Sequence, residues 1–337
     1  MLMKPYLNHL NQVVDYNNIN VLHYSTLKLL SHSVRAFKEK VDEEEDDERL
    51  ENKLKKHFLI GGAVDMLLTD NAKFEETYIH FDGKQAGEKA DAVLQGLAID
   101  NIDIRLIDSS ELRDYCHSVG FYTNWKDGES HRKELMKNIE YYEFLCAANG
   151  KIILDTISYQ VVQATYKRII EGRYTGAYLT NLQTNPKLRV YPQFCLIAEI
   201  YGIIYKGMLD FCVFDDENHH ITIIDVKTLW KHSNMFPKQL EWLRYDLQAV
   251  GYIELVKKLF PHYTVSYEFI VESTDAKLTS PIIYELSEQT IFEGKYGNIE
   301  RNKVGFEELI TRYLFHDFSN EWTYDQNVVQ NNGRLVI

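Results

Sequence analysis

Two acids and a lysine stand close together past the middle of the 337-residue chain. Asp210 closes the run Lys206-Gly207-Met208-Leu209-Asp210, and Asp225 and Lys227 lie within Ile223-Ile224-Asp225-Val226-Lys227-Thr228. Between the two runs sits the polar cluster Asp215-Asp216-Glu217-Asn218, so the pattern predicts a β-hairpin. Side chains alternate along a strand. That puts Asp225 and Lys227 on one face with Ile221 and Ile223, and Asp210 on one face with Met208 and Cys212. Charges among apolar neighbours are costly unless something neutralises them. Paired carboxylates bind a hard divalent cation such as Mg²⁺ through oxygen. Such an ion polarises a phosphodiester and lowers the pKa of a water, and a lysine beside it offsets charge that develops in the transition state. The chemistry that fits is in-line hydrolysis of a phosphodiester. No Ser, Tyr or Cys nucleophile is expected beside the cluster, so no covalent enzyme intermediate is expected either.

The surrounding elements must deliver these residues. The chain predicts strands over 194–204, 205–214, 221–228 and 264–273, with Glu199 on the first. A helix is predicted over 237–260, with Pro237 in its first turn and Leu240, Leu243, Leu247 and Val250 as its core stripe. Arg244, Gln248 and Tyr252 recur at i, i+4 and i+8 and share another face of that helix. Upstream, a helix over 50–69 carries Gly61-Gly62, a pair that permits close backbone approach, and Asp65 among apolar neighbours. Ser25 is a candidate N-cap for a helix through about Phe37. Further helices are expected over 84–98, 130–148, 158–171 and 303–315, with 175–192 crossing the surface. The fold class is α/β (α+β), a central mixed β-sheet flanked by helices with a helical N-terminal part. Residues 1–24 are taken as a lead-in and 325–337 as a tail. One domain is expected over 25–324: 25–190 mainly helical, 191–275 holding the catalytic sheet and the Gln248 helix, and 276–324 a C-terminal helical region.

Gly207-x-x-Asp210, a hairpin, and then Asp225-Val226-Lys227 resemble the PD-(D/E)XK nuclease superfamily. Arg244-Tyr245-Asp246-Leu247-Gln248-Ala249-Val250-Gly251-Tyr252 resembles the Tyr-x-x-Gln-x-x-x-Tyr helix of its phage and prophage recombination exonucleases, the exodeoxyribonuclease VIII-like and lambda-exonuclease-like branch. Ser25 to Leu30 resembles the N-terminal helix of that branch, and Ile60 to Leu68 its Gly-x-x-x-His helix. The resemblance spans most of residues 25–315. It implies a restriction-endonuclease-like core and a Mg²⁺-dependent exonuclease, with Mn²⁺ able to substitute, hydrolysing DNA from its ends. Asp65, Asp210 and Asp225 would hold metal, Lys227 would assist the attacking water, and Gln248 would position Lys227 or the water. Basic and aromatic groups near Gln248, Arg244 and Tyr252 among them, would engage DNA, and Glu199 is a candidate further acid. Linear double-stranded DNA, a recombinase or single-strand-annealing partner, and a homo-oligomer are the partners implied. The chain departs from the pattern in three places: Asp65 replaces His, no Pro precedes Asp210, and Asp225 replaces Glu. A structure-specific or restriction-like endonuclease, and a non-catalytic nucleic-acid or protein-binding relative, remain alternatives.

A formal net charge of −13 argues against global attraction to nucleic acid, though not against a local basic channel. Basic residues gather at Lys53, Lys55 and Lys56 and around Lys227, Lys231 and Lys238 as candidate phosphate contacts, with the alternative that the first group only balances the acidic run Asp42 to Glu48. Cys116, Cys146, Cys195 and Cys212 form no C-x-x-C pair, which excludes zinc-ribbon and thioredoxin-like readings and suits a reducing compartment. His219 and His220 belong to the hairpin turn, and His57, His117 and His131 lack ligand spacing. With no secretory core and no span-length apolar run, the expectation is a cytoplasmic protein, in the bacterial host cytoplasm if phage-encoded, with no membrane partner.

Overall fold

The computed structural model describes residue 19 and residues 21–46, 56–278 and 281–334. The described residues within 1–70 and 164–337 form one compact unit, and residues 71–163 form a second within the span expected as one domain. The larger unit is built on a five-stranded mixed sheet ordered β3-β4-β5-β6-β7. Its strands are β3 (Leu188–Ile200), β4 (Ile203–Asp215), β5 (His220–Leu229), β6 (Thr264–Ser273) and β7 (Ile282–Glu285). Only β5 and β6 run parallel; the other neighbours are antiparallel. Parallel neighbours need a crossover. Here it is α11 (Phe236–Leu243) followed by α12 (Tyr245–Leu259). With helices packed around a mixed sheet, the α/β architecture is the one expected.

Turn chemistry sets the hairpins. Asp215 Oδ1 accepts the Asn218 N–H at 3.0 Å and closes the β4–β5 turn. The β3–β4 turn falls at Tyr201-Gly202, with φ of +49° and +83°, as a two-residue loop with both φ positive requires. The strand expected over 194–204 therefore ends earlier, because tyrosine is no turn signal. Along this hairpin strict alternation fails. Phe194, Leu196, Tyr205 and Leu209 join the main core, and so do Cys212 and Phe214. Met208 instead packs with Cys195 and Ile197. The ladder pairs Phe194 with Leu209 and Pro192 with Phe211 but skips Gln193 and Asp210, and Gln193 has φ of +45°. The inward face thus switches at Asp210, so Met208, Asp210 and Cys212 do not share a side. On β5 the expected face holds, with Ile221, Ile223 and Leu229 in the core.

The helix expected over 237–260 is two helices. Arg244 breaks it with φ of +58°. Leu247 and Val250 lie in the core and Leu240 packs at its edge, but Leu243 leaves the stripe and its carbonyl accepts the Tyr24 hydroxyl at 2.6 Å. α12 is buried from Asp246 through Ile253 and has no solvent face there. Gly207 allows this packing: a Cβ there would sit 2.7 Å from the Tyr252 ring.

Other elements depart from expectation. The helix proposed from Ser25 is α1 (Tyr24–Leu27), capped by His23, then a 3-10 turn and α2 (Val34–Asp46). The helix proposed over 50–69 is α3 (Lys56–Thr69); residues 50–55, with Lys53 and Lys55, lie outside the described residues, as do Asp47 and Glu48. The stretch 175–192 holds a helix (Thr175–Thr184) and the start of β3. Helices at Glu288–Tyr296 and Gln326–Gln330 were not expected, and the last long helix is Phe306–Ser319.

The smaller unit pairs β1 (Tyr78–Phe81) parallel with β2 (Ile152–Asp155). Helices Glu88–Ile99, Ser109–Ser118, Gly128–Leu135 and Ile139–Ala148 pack around Val93, Leu94, Leu97, Leu112 and Leu135. The helices expected over 84–98 and 130–148 fall here, the second broken by a turn at Met136–Asn138.

Candidate active site

β4 and β5 part company where the acids stand. Their pairing runs from Asp215 opposite His220 to Phe211 opposite Ile224 and stops. Past that point the Val226 N–H is taken by the Asp210 side chain, with Oδ2 accepting at 2.7 Å. The carboxylate replaces a main-chain acceptor and lets the strands splay while the N–H stays satisfied. Asp225, 2% exposed, follows on the core face of β5, and Lys227 Nζ forms an ion pair with its Oδ2.

The other candidates come from helices on either side. From α12, Gln248 Nε2 donates to Asp225 Oδ1 at 3.2 Å and to the Tyr252 hydroxyl at 3.3 Å. Its Oε1 is sealed from solvent with no hydrogen-bond partner among the described residues. From α3, Gly61 comes within contact of Thr228, with a Cβ there only 3.1 Å from the threonine Oγ1. Asp65 lies one turn on, on the same helix face. Its Oδ1 is buried without a hydrogen-bond partner among the described residues, and it feels the charges of Asp210, Lys227 and Asp225.

Three acids thus face one ammonium. Burial raises the Asp65 carboxyl well above its ordinary range, and the Asp210 charge raises it further. Burial and the Asp225 charge push Asp210 up to about 7, against the pull of Lys227 and the Val226 N–H. Burial also raises Asp225, opposed by Lys227. Burial alone would lower the Lys227 ammonium, but Asp225, Asp210, Tyr245 and Asp65 outweigh it and hold it well above its usual value.

Two candidates stand elsewhere. Glu199 pairs with Ile204 beside the Tyr201-Gly202 turn and is exposed. Asp210 lies across from Gln193, six residues back along β3, or roughly 20 Å at strand rise. Glu199 is therefore not part of the cluster. Arg244, 8% exposed, spends its guanidinium on Asp246 (Nε to Oδ1 3.0 Å) and the Val304 carbonyl (2.6 Å). With the helix broken at Arg244, the i, i+4, i+8 face does not exist. Tyr252 does reach the cluster, as a buried partner of Gln248 rather than an open DNA contact.

Sequence reasoning named Tyr252 but missed Tyr24, Tyr245 and Tyr267. Lys227 Nζ lies 5.0 Å from the centre of the Tyr245 ring, Tyr267 is buried beside Asp225, and Tyr24 feels the Lys227 charge. The expectation of no tyrosine near the cluster is thus wrong. Burial, first among the causes, raises the pKa of Tyr24, Tyr245, Tyr252 and Tyr267 alike, so the phenols stay protonated and are poor nucleophiles. Lys28, over the Tyr24 ring at 5.1 Å and with its ammonium lowered by burial, was missed as well. Its signal was its place one turn after Tyr24. His219 lies in the hairpin turn as expected, whereas His220 opens β5 and is bound to Thr264 and Ser266 at 2.7 and 2.8 Å.

The donors suit a hard divalent cation. All are oxygens, three carboxyl groups share one ammonium, and a buried Asp65 oxygen lacks a hydrogen-bond partner among the described residues. Among the described residues no three His, Cys, Asp or Glu side chains gather into a ready shell, so the acids form an open set rather than a finished coordination sphere. No helix among the described residues is long and apolar enough to cross a membrane.

Neither a family model nor a curated protein matches the chain. Among solved structures, the crystal structure of a "Putative exonuclease" from Eubacterium rectale is similar with a TM-score of 0.49 and 13% identity, over 98% of this chain and 95% of that one. Likeness that distant leaves function to be argued from the site.

Proposed function

We propose that the protein is a metal-dependent deoxyribonuclease that hydrolyses phosphodiesters from DNA ends. The observation that carries the reading is the surplus of buried acid at the β4–β5 splay, where Asp65, Asp210 and Asp225 surround Lys227. Three acids share one ammonium there, and burial holds Asp65 and Asp210 toward their neutral forms, an arrangement that a bound divalent cation would relieve. Asp210 and Asp225, with Asp65, would hold Mg²⁺ or Mn²⁺. That ion would polarise the phosphodiester and acidify a water. The Lys227 ammonium would offset charge building on the phosphate oxygens. The partnerless Gln248 Oε1 would accept a hydrogen bond from the attacking water, while its amide nitrogen stays anchored on Asp225 and Tyr252. Water is the nucleophile because the nearby phenols are held neutral. Action from ends, in phage-type recombination with a recombinase or annealing partner and an oligomeric ring, follows from the motif resemblance.

The experiment is incubation of purified protein with linear and circular duplex DNA in Mg²⁺ or Mn²⁺. Loss of the linear form alone, abolished by Lys227→Ala, supports the exonuclease. Cleavage of circles moves the reading to an endonuclease. No metal-dependent cleavage of any DNA sinks both and leaves a non-catalytic relative.

A further inference from the structure

Fifteen residues, Thr228 to Trp242, lead from the strand that carries Lys227 toward the helix that carries Gln248. In a chain of net charge −13 this connection is basic: Lys231 and Lys238 face a single acid, Glu241. Arg301 and Lys303 hold that acid at 3.2 and 2.9 Å, which offsets its charge. Lys231 and Lys238 are exposed and, among the described residues, form no ion pair. Trp230 is 70% exposed, with Lys231 Nζ 4.7 Å from its ring centre. An indole that open exposes far more apolar area than folding needs to leave in water.

We infer that Trp230 is a stacking platform for an unpaired base of a DNA strand, with Lys231 and Lys238 on the neighbouring phosphates. Base–aromatic stacking needs an open π-face beside cations, and it tolerates any sequence. Position supports the assignment. Trp230 follows Lys227 by three residues, at most about 10 Å of extended chain, or about three base steps at the 3.4 Å rise of one strand. A strand whose phosphate lies at Lys227 therefore reaches the indole a few nucleotides away. Charge complementarity selects the occupant, since a polyanion is what a basic strip on an acidic protein attracts. The strip also explains how DNA approaches so acidic a molecule. The inference rests on the nuclease reading, and its test does not depend on cleavage.

The test is binding of a short labelled single-stranded oligonucleotide in EDTA, followed by fluorescence anisotropy. Trp230→Ala is expected to weaken binding about 5- to 150-fold, the equivalent of one stacked base. Trp230→Phe should keep most of the affinity, and Phe318→Ala, which removes an aromatic side chain even more open than Trp230, should bind like wild type. Loss on covalently closed circular duplex should be much smaller, because it offers no unpaired base. The inference is overturned if wild type binds no single strand, if Trp230→Ala binds within twofold of wild type, or if circular duplex loses as much. It is also overturned if sedimentation shows that Trp230→Ala changes the association state, which would make the indole a protein contact. Absence of metal-dependent cleavage with the binding pattern intact removes the nuclease reading and spares the stacking site.

Discussion

Two buried charged groups lie along α12, and they are built on opposite plans. At its start, Arg244 and Asp246 are 8% and 4% exposed, one positive charge against one negative, with the guanidinium also on the Val304 carbonyl. One turn later, Gln248 leans on Asp225, where three carboxylates share one lysine. The first group is balanced and its hydrogen bonds are made within the chain. The second crowds acids around one ammonium, and burial, reinforced at Asp65 and Asp210 by the neighbouring acids, raises its carboxyl groups. Burial alone therefore does not mark a working site. The mismatch between charges does, because folding gains nothing from it.

The largest effect that would separate the two is on stability. Arg244→Ala leaves Asp246 buried without its partner and is expected to cost about 3–5 kcal/mol. Urea denaturation measures this, and added Mg²⁺ should not change the loss. A variant as stable as wild type would erase the contrast. Asp225→Asn should do the reverse. Cleavage of linear DNA falls roughly 10²- to 10³-fold, the scale for losing one well-placed charged group, while the melting temperature holds or rises. If both activity and fold collapse, the second cluster is structural like the first.

Asp210 sharpens the comparison through pH. It titrates at about 7 in the folded chain, against an ordinary value of about 3.9 when unfolded. Between those values the folded state binds more protons than the unfolded state, so stability falls as pH rises through that window and stays low above it. Asp210→Asn removes the penalty and can still accept from the Val226 N–H. The variant should gain about 1–3 kcal/mol at pH 8 and nothing at pH 4. Mg²⁺ should raise the melting temperature of wild type more at pH 8 than at pH 5. An equal gain at both pH values would show that the variant acts through packing instead.

Much of this contrast was readable from the chain, and the unread parts have physical causes. Asp225 and Lys227 two apart on a strand, with a turn cluster upstream, place themselves by alternation. Asp65 and Gln248 were drawn in by motif resemblance, and the structure sets both beside the hairpin. Glu199 and Arg244 went astray because each depended on one local irregularity, the Tyr201-Gly202 turn and the left-handed Arg244. Arginine favours helices and announces no break, and at the turn Gly202 is a lone breaker beside a tyrosine that favours strands. The face switch at Asp210 was invisible for a similar reason. A skipped ladder pair is a property of two strands together, and Gln193 lies seventeen residues away in sequence. The tyrosines around Lys227 come from three separate elements, α1, α12 and β6, so no local spacing could gather all four.

The smallest expected effect tests how the balanced and unbalanced groups share one helix. Tyr252 belongs to the unbalanced group alone, its ring over Gly207 and its hydroxyl accepting from Gln248. Tyr252→Phe keeps the ring, so the fit against Gly207 is unchanged. It removes one acceptor and leaves a buried Gln248 N–H unsatisfied, a loss of about 1 kcal/mol. If Gln248 works by orienting a water, that loss should appear in the cleavage rate at saturating DNA and leave KM alone, because Tyr252 is too buried to touch substrate. A change in KM with an unchanged rate would make Tyr252 a DNA contact and Gln248 a bystander. Gln248→Glu should then tell the two apart, since an added carboxylate worsens the charge surplus at the metal site and does nothing at the Arg244–Asp246 pair.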